Sequence, residues 1–405
     1  MMPNSKPLRL AFSNICTREW IAGCHYLKNL FLALKMQEAP PEIVLLNSGN
    51  VSDDSQMLLP FVTDVLLYPP QRAFGERVRF SLQTRIGANL GAESPMSALL
   101  RGAHVDAVFT TKSHGKLPST SSLVWIPDFQ HLHLPHMFTP KEQEDRNTQY
   151  IKWAQEADTV ILSSHNALED FQAFDPVHAH KGRVLQFVAQ IDAAVYAIDP
   201  SFVCREYHLP EKFFYVPNQF WQHKNHEVVI NALALLRETH PHITVVCTGN
   251  PHDYRQPRYF SDLLVKIARV GVQKQFLMLG MIPHPHIFSL MRQSLAILQP
   301  SLFEGWNTSI EETKSIGKMM IVSDIPVHRE QNPPKSRYFD PKNPQALADV
   351  LIDISESRQA GPDTALEAQA RAQFNQRAKA FGAQFMAIVQ EALTATHQSA
   401  AIISP

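Results

Sequence analysis

Short apolar runs alternate along the chain with longer stretches of helical spacing. Leu8–Phe12, Glu42–Leu46, Val65–Tyr68, Ala107–Thr110, Leu123–Ile126 and Thr159–Leu162 read as strands. Between the first two, His25–Lys35 sets Leu27, Leu30, Phe31 and Leu34 on one helical face. Asp192–Lys212 holds Pro200, Pro210 and mixed polarity, and reads as a linker. The pattern then restarts. Phe213–Val216, Ile243–Thr248, Phe276–Leu279, Leu295–Gln299 and Met319–Val322 read as strands. Lys224–Arg237, Phe260–Val270, His284–Gln293 and Ile310–Ile316 read as the helices between them. Strand, helix, strand at this rhythm predicts parallel, doubly wound sheets.

The expected class is therefore α/β, with two Rossmann-like doubly wound domains facing a cleft. The first spans residues 1–195, a linker 196–212, and the second 213–364. Residues 365–405 form a C-terminal helix and tail, with Phe374, Phe381, Phe385, Ile388, Val389 and Leu393 on one face. That helix is long enough to cross back over the cleft. Ligands of such sheets sit at the carboxyl ends of the strands, so the loops there should carry the chemistry.

Composition narrows this. The chain has 405 residues, with 37 Lys and Arg against 38 Asp and Glu, giving a net charge of −1. That balance gives no polyanion footprint and argues against nucleic acid as a partner. No run approaches the roughly 18 apolar residues of a spanning helix, and Met1–Leu10 lacks the apolar core of a signal peptide. A cytoplasmic protein is expected, resting at most on the inner face of a membrane. Cys16, Cys24, Cys204 and Cys247 form no C-x-x-C pair and read as reduced thiols. No His, Asp or Cys cluster has metal-ligand spacing, so no metal is expected. Glycine is scarce, at 15 residues, against 29 prolines. A phosphate-binding chain of this kind must place its few glycines well.

The densest chemistry lies between Leu298 and Lys318. A buried strand ends at Pro300, a short loop holds Glu304 and Gly305, and a helix opens near Thr308–Ser309 and carries Glu312. A helix N-terminus offers free N–H groups and a positive dipole end, which suits a phosphate. Thr308 and Ser309 add hydroxyls. Glu304 and Glu312 would bracket one ligand, accepting from sugar hydroxyls at either end. By physics alone, Glu312 reads as a first-turn charge supporting the helix dipole and Glu304 as a solvated loop acid.

The run Phe303-Glu-Gly-Trp with Glu311-Glu-Thr-Lys-Ser-Ile-Gly-Lys resembles the E-x7-E signature of retaining glycosyltransferases of the GT-B fold, family 4, of the type that builds bacterial surface polysaccharides. The flanking Pro-Ser-Leu and Met-Ile-Val-Ser323-Asp-Ile-Pro-Val-His328-Arg-Glu fit as well. The resemblance implies transfer of a hexosyl unit from a nucleoside-diphosphate sugar (UDP- or GDP-linked) to an acceptor hydroxyl. The sugar nucleotide is a co-substrate, and no cofactor is implied.

Carried over by position, the resemblance gives Glu304 to the donor hexose and Glu312 to the ribose hydroxyls. Gly305, Trp306, Asn307, Thr308 and Ser309 would line hexose and pyrophosphate. Lys224, in Tyr215-Val-Pro-Asn-Gln-Phe-Trp-Gln-His-Lys, would pair with the diphosphate. Asn218 and Gln219 stand where many relatives carry an arginine, and are read as donor-binding. Gly249 and the loop Gly280, Met281, Ile282 would cup the nucleotide. Gly23, in Trp20-Ile-Ala-Gly-Cys-His, would approach the donor phosphate. Trp125-Ile-Pro-Asp-Phe-Gln-His is similar to a segment of bacterial members, which points to Asp128 and His131 at the reacting centre. His133 reads as packing or surface, and His165 is a weaker acceptor-side candidate.

Gln71–Arg101 holds Arg72, Arg77, Arg79, Arg85 and Arg101, with Phe74, Val78 and Leu82 at helical spacing. It reads either as a solvated helix face or as a basic contact to anionic lipid, which fits a saccharide or lipid-linked acceptor. The alternatives to transfer are a scaffold that binds a sugar nucleotide and a sugar-nucleotide epimerase.

Overall fold

A computed structural model describes residues 6–17, 21–48, 53–68 and 93–403. Its contacts divide the chain into two units. One contains Met1–Phe129, Glu144–Val188 and Gln376–Pro405; the other contains Gln130–Gln143 and Ala189–Asn375.

The first unit is built on a seven-stranded parallel sheet. Its strands are β1 (Arg9–Ser13), β2 (Glu42–Asn47), β3 (Asp64–Leu67), β4 (Ala107–Thr110), β5 (Ser121–Ile126), β6 (Thr159–Leu162) and β7 (Gly182–Val184). They lie in the order β3-β2-β1-β4-β5-β6-β7, with Leu10 beside Ile43 on one edge and Ala107 on the other. β4, β5 and β6 are buried along their whole length, as expected of parallel strands covered on both faces by crossover helices. Phe385, on the C-terminal helix Thr364–Ile403, packs on Phe12 and Phe109, and Phe381 on Tyr26. Gly382 lets that helix close on its neighbour, since a Cβ there would stand 2.4 Å from the Ala33 carbonyl.

The second unit has a six-stranded parallel sheet of β8 (Phe214–Pro217), β9 (Val245–Thr248), β10 (Phe276–Met278), β11 (Ile297–Gln299), β12 (Met320–Ser323) and β13 (Arg337–Phe339). The order is β10-β9-β8-β11-β12-β13. Alternate residues feed two cores: Phe214, Val216 and Val245 on one face, Phe213, Tyr215 and Val246 on the other. Strand order reverses between β8 and β11, so the loops after these two strands diverge and leave room for a ligand. In the first unit the same reversal falls between β1 and β4.

Three findings depart from the sequence reading. The stretch read as a linker contains the helix Pro200–Glu206, capped by Asp199. Gln130–Gln143 groups with the second unit although β5, just before it, lies in the first. Cys16, just after β1, and Cys24, in the first turn of the helix Ile21–Lys35, are joined as a disulfide with Cα atoms 4.8 Å apart. Only Cys204 and Cys247 are free thiols, both buried. Among the described residues no helix is long and apolar enough to cross a membrane.

Candidate active site

The loops after β8 and β11 meet. Leu302 N–H donates to the His223 carbonyl over 2.8 Å, stitching the two loops by backbone. Asn225 takes the left-handed conformation at φ 57°. Its side-chain amide donates to the carbonyls of Pro300 (3.0 Å) and Pro341 (2.9 Å). Asn tolerates that backbone better than most residues, so the turn Gln222–Lys224 is set rigidly against the end of β11. The result is an ion pair: Lys224 Nζ lies 2.6 Å from Glu304 Oε1, with side chains only 14% and 9% exposed. Removing one partner of such a pair strands a poorly solvated charge.

Beneath the pair lies a web of buried amides. Gln299 Oε1 accepts from Asn218 (2.9 Å) and from Asn307 (3.2 Å). Asn307 Oδ1 caps the helix Thr308–Ile316 by accepting from Ile310 N–H. Gln331, on the helix Pro326–Gln331, clamps the backbone of Asn307 from both sides: it accepts from the N–H over 3.1 Å and donates to the carbonyl over 3.0 Å. His328 is fully buried. Its Nδ1–H donates to the Ser323 carbonyl over 3.0 Å, which leaves Nε2 as an unprotonated acceptor without a partner. Burial lowers its pKa to about 4, with Lys224 lowering and Glu304 raising it.

Several expected donor contacts are occupied by the fold. Asn218 and Asn307 are buried in the amide web, each giving its side-chain N–H to Gln299. Gln219 Oε1 accepts from Asn250 N–H. Ser309 Oγ donates to the Pro217 carbonyl (3.1 Å), tying the helix start to β8. Gly249 has φ 143°, and a Cβ there would stand 2.2 Å from the Asn218 carbonyl, so its service is close packing. The open groups are different. Gly280, at φ 67°, has nothing near its Cα face, and Met281 is 65% exposed. Ile282 packs on the core, while Gly305, Trp306 and Thr308 are half-buried. Glu312 is half-buried on its helix, with His284 Nε2 3.9 Å from its carboxylate.

The acceptor-side candidates are placed as follows. Gly23 is buried in the first turn of Ile21–Lys35. Asp128 is half-buried beyond the end of β5. His131 is 1% exposed and packs edge-on against Phe138. His133 instead stacks on Phe303 at 4.8 Å, next to Glu304. His165 begins the helix His165–Phe174, capped by Ser164. Of the arginine-rich stretch, residues 71–92 lie outside the described residues, and Arg101, on the helix Pro95–Gly102, pairs with Glu93 just before that helix. Among the described residues no three His, Cys, Asp or Glu gather as metal ligands would.

Sequence reasoning passed over Gln299, Gln331 and Arg255. A signal existed for Gln299, a polar residue closing an otherwise apolar strand. The other two act through long-range contacts.

The comparisons bear on the same region. Residues 206–381 match the model of Glycosyl transferases group 1, a span that holds Lys224, Glu304 and Glu312. No curated protein matches the chain. Among solved structures, HepE of Anabaena in complex with UDP and glucose is 15% identical, covers 97% of this chain and 100% of its own, and has a TM-score of 0.63. A glycosyltransferase from Rickettsia africae is 13% identical over 97% and 99% of the two chains, with a TM-score of 0.61. Sucrose-phosphate synthase from Thermosynechococcus elongatus is 14% identical over 98% and 100%, with a TM-score of 0.59. The chain thus has the GT-B fold, and its match to the glycosyl transferases group 1 model over residues 206–381 supports a glycosyltransferase.

Proposed function

We propose that the chain transfers a hexosyl unit from a UDP- or GDP-sugar to an acceptor hydroxyl, with retention of anomeric configuration. The observation that carries this reading is the Lys224–Glu304 pair at the β8/β11 reversal, with Glu312 on the helix that follows. In this reading Lys224 turns from Glu304 to the donor diphosphate and stabilises the charge that develops as the glycosidic bond breaks. Glu304, released, accepts from hexose hydroxyls. Glu312 accepts from the ribose, and the open loop Gly280–Ile282 borders the base. Front-face attack lets the departing phosphate take the acceptor proton, so no dedicated base is needed. No metal or other cofactor takes part.

HepE of Anabaena, whose structure holds UDP-glucose, supports a uridine nucleotide as the first donor to try. The acceptor we propose is a saccharide or a lipid-linked sugar, in polysaccharide or glycoconjugate synthesis. A lipid-linked acceptor would put the reaction at the inner, cytoplasmic face of a membrane, with residues 71–101 as the basic contact.

A thermal-shift series with UDP, GDP and their sugars tests this directly, because a ligand that binds only the folded state raises the melting temperature. A rise with one nucleotide family, followed by nucleotide release from its sugar, supports transfer. Binding without release from any sugar nucleotide would leave a scaffold, and conversion of the donor sugar without an acceptor would mark an epimerase.

A further inference from the structure

Arg255 lies outside the constellation above, yet it is the best-connected cation near it. Its side chain is 8% exposed and pairs with Asp253, itself 2% exposed. Nη1 donates to Gln130 Oε1 over 2.6 Å, and Nη2 reaches His223 Nδ1 at 3.4 Å. The guanidinium stands over the rings of Trp221 (5.5 Å) and Phe138 (5.7 Å). Asp253 holds the same turn from the other side, Oδ2 accepting from Gln222 N–H over 3.2 Å. His223 accepts because burial, with Lys224 and Arg255 nearby, keeps it well below the usual imidazole pKa.

These contacts join two segments far apart in sequence. One is the turn Gln222–Lys224. The other is Gln130–Gln143, which follows Asp128 in sequence and lays His133 on Phe303, one residue before Glu304. A planar fork that bonds in two directions while stacking on rings is something lysine cannot reproduce.

We propose that Arg255 is a positioning residue for glycosyl transfer, fastening the segment Gln130–Gln143 to the turn that carries Lys224. The inference rests on the reading of Lys224 as the diphosphate cation. It makes the segment responsive to the donor: when Lys224 engages a diphosphate, the turn stiffens, and Arg255 passes that order to Gln130–Gln143.

The test compares the full-length wild type with R255Q by hydrogen–deuterium exchange, without ligand and with UDP. Without ligand, R255Q should exchange amides of 130–143 about tenfold faster than wild type, while β11 and the helix His226–Leu236 stay unchanged. UDP should slow exchange of 130–143 in wild type and not in R255Q, although the two bind UDP within about threefold. UDP release from UDP-glucose should fall about tenfold in kcat with KM within about threefold. Wild-type exchange of 130–143 in R255Q, or UDP protection that survives the substitution, overturns the proposal. If UDP does not bind the wild type, the uridine donor reading falls, and the ligand-free comparison still decides the role of Arg255.

Discussion

Lys224 spends its closest contact on Glu304, 2.6 Å away. The two residues proposed to grip opposite ends of a sugar diphosphate therefore grip each other first. Binding must exchange the carboxylate for phosphate at the ammonium. In Glu304→Gln the competing charge is gone while the shape remains. Sugar-free UDP should bind this variant as tightly as wild type or severalfold tighter, whereas turnover of UDP-glucose should drop by about 100-fold. Titration calorimetry alongside a nucleotide-release assay checks both halves. Weaker UDP binding in the variant would mean that Glu304 does not compete for Lys224.

The two ends of the nucleotide should separate by kinetics. Glu312→Ala removes a ground-state contact to the ribose and should raise KM for the donor about tenfold with little change in kcat. Lys224→Ala removes charge stabilisation needed most in the transition state, and should lower kcat by about 100-fold or more. Equal effects of both variants on KM alone would argue that Lys224 only binds.

Much of this was legible in the chain because the relevant signals are local. The strand ends, the spacing of Glu304 and Glu312, and Lys224 just before a helix all lie within short windows. The edge strands β7 and β13 were not legible, being three residues each with Arg183 and Arg337 inside them. The packing of Asn218 was not legible for a different reason. A polar side chain at a strand end looks open in sequence, and only packing shows that Gln299 has consumed it. Arg255 and Gln130 stand 125 positions apart, so no window contains their contact.

The amide clamp on Asn307 makes a stability prediction. Gln331→Ala leaves a buried N–H and a buried carbonyl of Asn307 without their partner, at about 1–3 kcal/mol for each. The cap of Thr308–Ile316 loses its support at the same time. A loss of unfolding free energy of about 2–6 kcal/mol in total is expected from denaturant titration. Gln331→Glu, which keeps an acceptor for the N–H, should recover part of it. A loss under about 0.5 kcal/mol in Gln331→Ala would show that the loop repacks freely.

Gly249 should be equally intolerant. At φ 143° an added Cβ meets the Asn218 carbonyl at 2.2 Å and Gln219 Cα at 2.8 Å, both backbone atoms that cannot swing away. Gly249→Ala must push the loop after β8 outward, and Lys224 moves with it. A stability cost of about 2–4 kcal/mol is expected, together with weakened UDP binding. Melting and titration with wild-type values would show that the loop yields without cost.

Acid sensitivity should come from three buried histidines of the second unit. His226 is pushed down to about 3 and His328 to about 4, mainly by burial, and His223 is held well below its ordinary value by burial and by Lys224 and Arg255. The unfolded chain titrates near the ordinary value of about 6.5, so below that pH it binds protons the folded chain refuses. The sign follows: stability is full above about pH 6.5 and falls as pH drops toward 4. Each histidine adds up to about 1.4 kcal/mol per pH unit in that window. His226 stacks on Phe220 at 4.5 Å, and neither of its ring nitrogens has a partner. His226→Phe keeps the stack and deletes the titration. Urea midpoints at about pH 7.5, 6 and 5 should fall less steeply in the variant, with the two proteins diverging only below about 6.5. Parallel curves across that range would mean that His226 takes up its proton without unfolding.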